Sequence, residues 1–240
     1  SRGLGDVYKR QTLEMVTEEE RNWMWERYAP EPRMRQNLGI RRRLAPLLDN
    51  NKQKIGLANS LLFTLPGSPI IYYGDEIGMG DNIWLDDRNG VRTPMQWSDE
   101  PNAGFSSANP DELYLPVVDS ETFPLEHVNV ARQRLDQDAL FHLMSRMIRV
   151  RKASFALSRG DFAWADTGGN QHIAAYFRTH AQQRMLVVNN LSGQPQQISF
   201  DVQAEGGSAR EIINGVEYPL EDGLLKLDLK PHEYLWLVLR

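Results

Sequence analysis

The chain has 240 residues, which is enough for one large domain or two smaller domains with a buried core. Its net charge of −5 argues against nucleic acid or an anionic membrane as the main partner, and no apolar run reaches the roughly 20 residues of a membrane helix. Cysteine is absent, which excludes disulfides and thiolate chemistry and weakly favours a cytoplasmic location. The five histidines show no metal-ligand spacing, so we expect neither a metal nor a cofactor.

The first predicted helix begins after Thr17, because Glu20 three residues later completes a capping box with it. Pro30 ends this helix. Its large apolar and aromatic side chains are expected to pack in a core: Trp23, Met24, Trp25 and Tyr28. The run Arg41–Arg43 is too short for a nucleic-acid tract, so we expect it to be a solvated or ion-paired helix end.

A helix and a buried strand are predicted next. Apolar residues recur at helical spacing from 51 to 65, and Pro66 breaks the pattern. The run Pro69–Tyr73 is apolar throughout, which is typical of a parallel strand buried on both faces. Helix, break, strand and polar loop form the repeating unit of an α/β barrel, which places its chemistry beyond the carboxyl ends of the strands.

The second half of the chain changes character. Residues 81–135 are irregular and too long for a simple connection, which indicates a functional loop, and Asp136 is predicted to cap a helix over 136–152. Short strands separated by turn residues follow, which is typical of an antiparallel sandwich. The predicted strands are 161–166, 172–179, 184–191, 197–201, 210–213, 224–229 and 233–239. We therefore expect an α/β domain over 12–157 and a β domain over 158–240.

Two motifs resemble those of the α-amylase family of glycoside hydrolases. Residues 67–82 read Gly-Ser-Pro-Ile-Ile-Tyr-Tyr-Gly-Asp-Glu-Ile-Gly-Met-Gly-Asp-Asn, and residues 87–97 read Asp-Arg-Asn-Gly-Val-Arg-Thr-Pro-Met-Gln-Trp. The second motif is similar to the maltose- and isomaltose-active branch of the family. The run Ile40–Leu47, together with the Gly-Met-Gly-Asp-Asn ending, favours enzymes that interconvert maltose and trehalose.

This resemblance implies the C-terminal part of a (β/α)8 TIM barrel followed by an antiparallel β-sandwich domain. The run 69–73 then corresponds to the eighth barrel strand and 136–152 to the last barrel helix. Where the family has a strand ending in Asn-His-Asp, this chain has Lys9 in place of the aspartate. Residues 1–11 are therefore expected to be a non-native, adaptor-like leader. The catalytic carboxylates are expected upstream and missing, so the chain itself is expected to be inactive.

The resemblance also implies an activity and partners. The parent enzyme is expected to interconvert maltose and trehalose by retaining intramolecular transglucosylation, with these sugars as its small-molecule partners. No nucleic-acid or membrane partner is expected. The parent protein is expected to be a homo-oligomer or to carry a fused maltokinase.

The same motifs nominate site residues. Arg88 is the first candidate for binding hydroxyls of the transferred glucose, and Arg92 is the second. The main expected role of Arg92 is to brace the loop through Asp86, Asp87 or Asp75, and a planar guanidinium with five donors suits both roles. Adjacent side chains at a strand end point in different directions, so Asp75 and Glu76 are not expected to form a catalytic pair. The residues expected to brace the loop or support the site are Asp75, Glu76, Asp87 and Trp97. Trp97 and Phe105 are alternatively expected to wall the pocket.

Two alternatives remain open at this point. One is a fragment of an α-glucosidase or amylase-type hydrolase, which would release glucose instead of forming trehalose. The other is a non-catalytic carbohydrate-binding or interaction module built around the sandwich, which requires an exposed aromatic row on one sheet face. The candidates for such a row are Trp164, Tyr176, Tyr218, Tyr234 and Trp236.

Overall fold

The computed structural model describes residues 13–181, 183–202 and 207–239, so the predicted leader over 1–11 lies outside the described residues. The chain divides into two compact units. The loop unit combines the described residues before Gly56 with Pro69–Leu143, and the sheet unit combines Gly56–Ser68 with the chain from Met144 onward. Within the described ranges, no helix has the length and apolar character needed to cross a membrane.

The loop unit begins with helix α1, Glu18–Tyr28. The predicted capping box is confirmed: the Glu20 amide donates to Thr17 Oγ1 at 3.2 Å, and the Thr17 amide donates to Glu20 Oε2 at 2.8 Å. The expected core packing of the α1 aromatics is wrong, because the helix buries none of its residues and Trp23 is 59% exposed. Trp23, Met24 and Trp25 are consecutive, so they point around the helix and cannot share one buried face.

Short elements make up most of the loop unit. They are the hairpin β1 (Arg35–Gln36) and β2 (Gly39–Ile40), helix α2 (Leu44–Leu47), the first turn of α3 (Lys52–Thr64), helix α4 (Val130–Leu135) and the start of α5 (Leu140–Ala153). Helix α3 confirms the helical spacing read from 51–65. The predicted cap at Asp136 is wrong, because its carboxylate accepts from the Asp138 amide and closes a turn before α5 begins.

The apolar run Pro69–Tyr73 does not form the predicted strand in this structure. Its residues are irregular, and Ile70 and Ile71 are 62% and 38% exposed. A central parallel strand requires neighbours that accept and donate ladder hydrogen bonds on both edges. No described segment pairs with this run, so the run forms no strand although its residues favour β structure.

The sheet unit contains the rest of α3 and α5, the short helix α6 (Phe155–Arg159) and an antiparallel sheet. Its described strands are β3 (Asp161–Trp164), β4 (Ile173–His180), β5 (Gln183–Asn190), β6 (Gln196–Asp201), β7 (Ser208–Glu211), β8 (Glu217–Glu221), β9 (Leu224–Leu229) and β10 (Tyr234–Leu239). Their order in the sheet is β3-β4-β5-β10-β7-β8-β9-β6. Strand β8 was not predicted, and it contains Pro219, which has no amide to donate to a ladder.

The two ends of this sheet share one hydrophobic core. Leu186 and Val188 on β5 belong to the same buried cluster as Phe200 on β6 and Leu227 on β9, although these strands lie far apart in the sheet order. The sheet therefore folds over on itself, with inward-facing residues from both ends in contact. This arrangement matches the predicted sandwich.

A buried polar network joins α3 to the sheet within this unit. Ser60 Oγ donates to Asn189 Oδ1 at 2.7 Å and accepts from Trp236 Nε1 at 2.9 Å. One turn later, Thr64 Oγ1 lies 2.5 Å from the Tyr176 hydroxyl. Burial raises the pKa of Tyr176 to about 12, against the opposing effect of its hydrogen bonds. Every polar atom in this contact therefore depends on its neighbour rather than on water.

Replacing Ser60 by alanine tests this network. Ser60→Ala leaves the Trp236 indole N–H buried without its acceptor, so we expect the free energy of unfolding to fall by about 1–3 kcal/mol, measured by urea denaturation. Ser199→Ala on the exposed face of β6 is the control and should change it by less than about 0.5 kcal/mol. Equal effects of the two substitutions would show that the network contributes nothing to stability.

Candidate functional site

The predicted site segment, residues 74–97, is built from short turns. One 3₁₀ turn, Asp75–Ile77, lies between Gly74 and Gly78, whose φ angles are 87° and 68°. These left-handed conformations favour glycine, and they present Asp75 and Glu76 on a tight reversal. A second turn, Asn89–Val91, contains Gly90, where a Cβ would lie only 2.1 Å from the Asn82 carbonyl oxygen. The loop can close on itself only because Gly90 has no side chain.

Arg41 holds this loop from inside. It is 6% exposed, and its guanidinium donates to the carbonyl of Arg33 at 2.6 Å and to that of Ile83 at 2.9 Å. It also donates to the carbonyls of Leu85, at 2.7 Å, and Asp87. Burial lowers the pKa of Arg41, and Asp81, Asp87 and Asp86 oppose this effect. The expectation of a solvated or ion-paired end is therefore wrong for Arg41, which binds backbone carbonyls in the interior.

The two arginines that follow are ion-paired. Arg42 Nε lies 2.8 Å from Asp81 Oδ2, which also accepts the Arg43 amide at 2.8 Å. Arg43 is fully buried and donates to the Tyr73 carbonyl at 2.6 Å. Its guanidinium also lies 3.9 Å from Asp75 Oδ1 and 4.8 Å from the centre of the Tyr73 ring. Asp75 therefore contacts Arg43, a residue that the motif comparison did not nominate.

A cavity of about 270 Å³ opens beside this turn, and we call it the Trp97 cavity. Its lining residues are Tyr73, Glu76, Arg92, Thr93, Pro94, Met95, Trp97 and Phe105. Trp97 and Phe105 form half-exposed aromatic walls, at 51% and 52% exposure. The cavity combines apolar ring surfaces with one carboxylate and one guanidinium, which is the composition of a small-molecule site.

Two polar atoms at the Trp97 cavity are buried without a hydrogen-bond partner among the described residues. They are Glu76 Oε2 and Thr93 Oγ1. Such atoms cost free energy unless a ligand or water satisfies them. Tyr73, by contrast, is satisfied: its hydroxyl donates to the Thr93 carbonyl at 2.8 Å. Burial raises the pKa of Tyr73 to about 12, opposed first by Arg43, so the phenol stays protonated and keeps this bond at neutral pH.

The structure separates the two nominated arginines. Arg92 lines the Trp97 cavity, and its Nη1 lies 3.9 Å from Asp87 Oδ2, with both side chains about half exposed. An exposed pair at this distance contributes little stability and leaves Arg92 free to turn toward a ligand. Arg88 is half-buried, lies outside the lining, and its guanidinium forms no ion pair or hydrogen bond with the described residues.

Sequence reasoning missed Arg41, Arg43 and Thr93. The available signal for the arginines was the acidic cluster Asp81, Asp86 and Asp87, whose charge requires nearby cations in an otherwise compact loop.

In the described parts of the chain, no group of His, Asp or Glu side chains has metal-binding geometry. The aromatic candidates among the described residues of the sheet unit do not form an exposed row, because Trp164 is 67% exposed whereas Tyr176 and Trp236 are fully buried.

Comparison with known proteins gives a consistent result. Residues 7–160 match the family model "Alpha amylase, catalytic domain", and residues 167–236 match "Maltogenic Amylase, C-terminal domain". Trehalose synthase from Pimelobacter sp. (strain R48) is 47% identical over 94% of this chain and 40% of its own length. Trehalose synthase/amylase TreS from Mycobacterium tuberculosis (strain ATCC 25618 / H37Rv) is 47% identical over 95% of this chain and 39% of its own length.

Solved structures agree with the fold. The trehalulose synthase MutB from Pseudomonas mesoacidophila MX-45 has a TM-score of 0.63 at 22% identity, covering 78% of this chain and 38% of MutB. These matches confirm the predicted fold class, a barrel portion followed by a β domain. This chain spans about 40% of the length of the curated relatives it matches. The proposed boundary near residue 158 lies close to the junction between the two family models and stays a prediction.

The role of Arg41 can be tested by a charge-conserving substitution. In Arg41→Lys a single ammonium replaces the planar fork and cannot reach four separate carbonyls. We expect amide hydrogen exchange to accelerate about tenfold or more at Asn82 and Val91, whose amides close this loop. Arg149→Lys, at an exposed position of α5, is the matched control. Unchanged exchange at Asn82 would contradict the role assigned to Arg41.

Proposed function

This chain belongs to the α-amylase family, and we propose that it forms part of an enzyme that interconverts maltose and trehalose. The observation that carries this proposal is the 47% identity to trehalose synthase along 94% of the chain. That similarity includes the loop around the Trp97 cavity, where sugar chemistry is expected. A cytoplasmic location, a homo-oligomeric state and a fused maltokinase stay predictions from the resemblance.

The proposed chemistry is retaining glucosyl transfer. One carboxylate attacks the anomeric carbon while a carboxylic acid protonates the leaving oxygen, with the two groups about 5 Å apart. The freed glucose then attacks the glucosyl-enzyme through its own anomeric hydroxyl, whose proton returns to the group that acted as the acid. The enzyme–glucosyl bond breaks, which restores the carboxylate, and the new glycosidic bond forms. We assign neither catalytic role to Asp75 or Glu76, because Asp75 lies against Arg43 and Glu76 lines the Trp97 cavity. Adjacent side chains on this turn point in different directions, so the two carboxylates do not face each other across one bond.

In this proposal the Trp97 cavity holds a glucosyl unit beside the reacting centre. Trp97 and Phe105 offer ring faces to the C–H face of a pyranose. Glu76 and Thr93 line this cavity, and Glu76 Oε2 and Thr93 Oγ1, which lack partners among the described residues, are proposed to bind sugar hydroxyls. Arg92 adds donors at the same wall, and Arg88 is proposed to bind the transferred glucose from the adjoining turn. Filling this cavity with sugar also excludes the water that would divert the reaction to hydrolysis.

Hydrolysis is the second candidate function. The observation that favours it is the similarity to the Mycobacterium tuberculosis relative, which is named a trehalose synthase/amylase. Both reactions begin with the same glucosyl-enzyme and differ in whether glucose or water attacks it. The ratio of trehalose to free glucose therefore distinguishes them.

A chimeric enzyme tests the proposal. The aligned segment of the Pimelobacter trehalose synthase is replaced by the corresponding residues of this chain, and maltose conversion is followed by chromatography. We expect trehalose as the main product and glucose as the minor one. The unmodified host enzyme is the positive control. A folded chimera that releases only glucose would assign this chain to a hydrolase instead.

A substitution in the chimera tests the Trp97 cavity. Glu76→Gln removes the charged acceptor, so we expect KM for maltose to rise about tenfold, with a smaller change in kcat. Trp97→Ala should raise KM in the same direction, because the ring face is lost. Glu100→Gln, at an exposed acid outside the lining, is the control. An unchanged KM in both Glu76→Gln and Trp97→Ala would exclude the cavity from substrate binding.

A further inference from the structure

The loop unit contains a second concave site, which we call the Trp84 cleft. Its volume is about 360 Å³, and it shares no lining residue with the Trp97 cavity. The lining residues are Arg42, Asp81, Asn82, Ile83, Trp84, Val117, Val118, Asp119, Ser120, Thr122 and Phe123. Its size is at the lower end of the range of small-molecule sites, about 300–1,000 Å³.

Trp84 presents a large, positioned aromatic surface at this cleft. The indole is 70% exposed, although the backbone around it is held: the Trp84 amide donates to Asn82 Oδ1 at 3.0 Å. The Arg33 guanidinium lies 5.4 Å from the ring centre. An exposed tryptophan on a fixed turn offers an apolar face at little entropic cost, because its anchor is already ordered.

The two buried charged residues of the cleft neutralise each other. Arg42 and Asp81 form an ion pair at 2.8 Å, with side chains only 14% and 3% exposed. Asp81 also accepts the Arg43 amide, so its acceptor capacity is largely used. Arg33, which lies beside Trp84, adds a positive charge. Asp119, which lines the opposite wall, adds a negative charge. A balanced set of charges favours a neutral polar ligand over an ion.

The opposite wall is rigid. Gln96 Nε2 donates to the Val118 carbonyl at 2.9 Å, and Asp119 Oδ1 accepts the Leu125 amide at 2.9 Å. Ser120 Oγ accepts the Phe123 amide at 3.2 Å, and Phe123 packs closely on Gly80, where a Cβ would lie 2.6 Å from its ring. The Asp119 and Ser120 side chains are exposed at this wall and keep acceptor and donor capacity for a ligand.

We infer that the Trp84 cleft binds a glucosyl unit of a neutral sugar. A pyranose has an apolar C–H face that fits the exposed indole and a rim of hydroxyls that fits Asp119, Ser120 and the edge of Arg42. The choice of maltose as the probe rests on the proposed function, but binding by this chain requires no catalysis. The two conclusions can therefore fail separately.

The test is a titration of the ¹⁵N-labelled 240-residue chain with maltose, followed by NMR. The six tryptophans give six indole N–H signals, and Trp84→Phe assigns the signal of Trp84. We expect this signal and the amides of Val117 and Asp119 to shift saturably, with a dissociation constant in the millimolar range. Glucose 6-phosphate should bind no better than glucose, because Asp81 and Asp119 balance the positive charges of Arg42 and Arg33 at the cleft.

Matched variants decide whether Trp84 carries the binding. Trp84→Ala should weaken the saturable shift of the Val117 amide at least about fivefold, whereas Trp84→Phe should keep part of it because a ring remains. Trp164→Ala, which removes a similarly exposed indole in the sheet unit, should leave the affinity unchanged. The inference is overturned if the Trp84 signal stays fixed while that of Trp97 moves. It is also overturned if Trp84→Ala and Trp164→Ala bind maltose equally well.

Discussion

The buried guanidinium of Arg41 is the constraint on which the site loop depends. Residues 81–91 contain no helix or strand long enough to satisfy their own backbone, so their carbonyl groups need another donor. Arg41 supplies it by donating to the carbonyls of Ile83, Leu85 and Asp87 from one rigid fork. Residues 81–84 of this loop line the Trp84 cleft, so the Arg41 guanidinium fixes one wall of that cleft. The same loop leads along the chain into Arg92, which lines the Trp97 cavity.

The sheet unit uses the same device at the end of α3. The last four carbonyl groups of a helix accept no hydrogen bond from the helix itself, so they need other donors. Cations near that end of a helix also stabilise it. Arg151 donates to the carbonyls of Phe63 and Gly67, and Arg178 donates to that of Thr64 at 2.6 Å. Burial lowers the pKa of both arginines, yet each guanidinium keeps backbone partners. The end of α3 is therefore fixed by two buried cations of the sheet unit.

The sequence correctly predicted the elements that depend on interactions between residues close together in the chain. The capping box at Thr17 and the helical spacing of α3 depend on neighbours within a few residues, and both formed as predicted. The run Pro69–Tyr73 failed because a strand depends on partners that no local pattern encodes. Arg88, Arg92 and Trp97 were nominated from a motif, but Arg41 and Thr93 acquire their roles only through contacts made by folding. Arg41 and Thr93 contribute to the site because they are buried, and burial cannot be read directly from a sequence.

The exposed run Pro69–Tyr73 has a consequence for the behaviour of this chain in solution. Its isoleucines and tyrosines combine high β-propensity with no charge, and the segment carries backbone groups that no ladder occupies. An exposed segment of this composition offers a template for edge-to-edge pairing between copies of the chain at high concentration. A single lysine at Ile70 would act as a gatekeeper against such pairing.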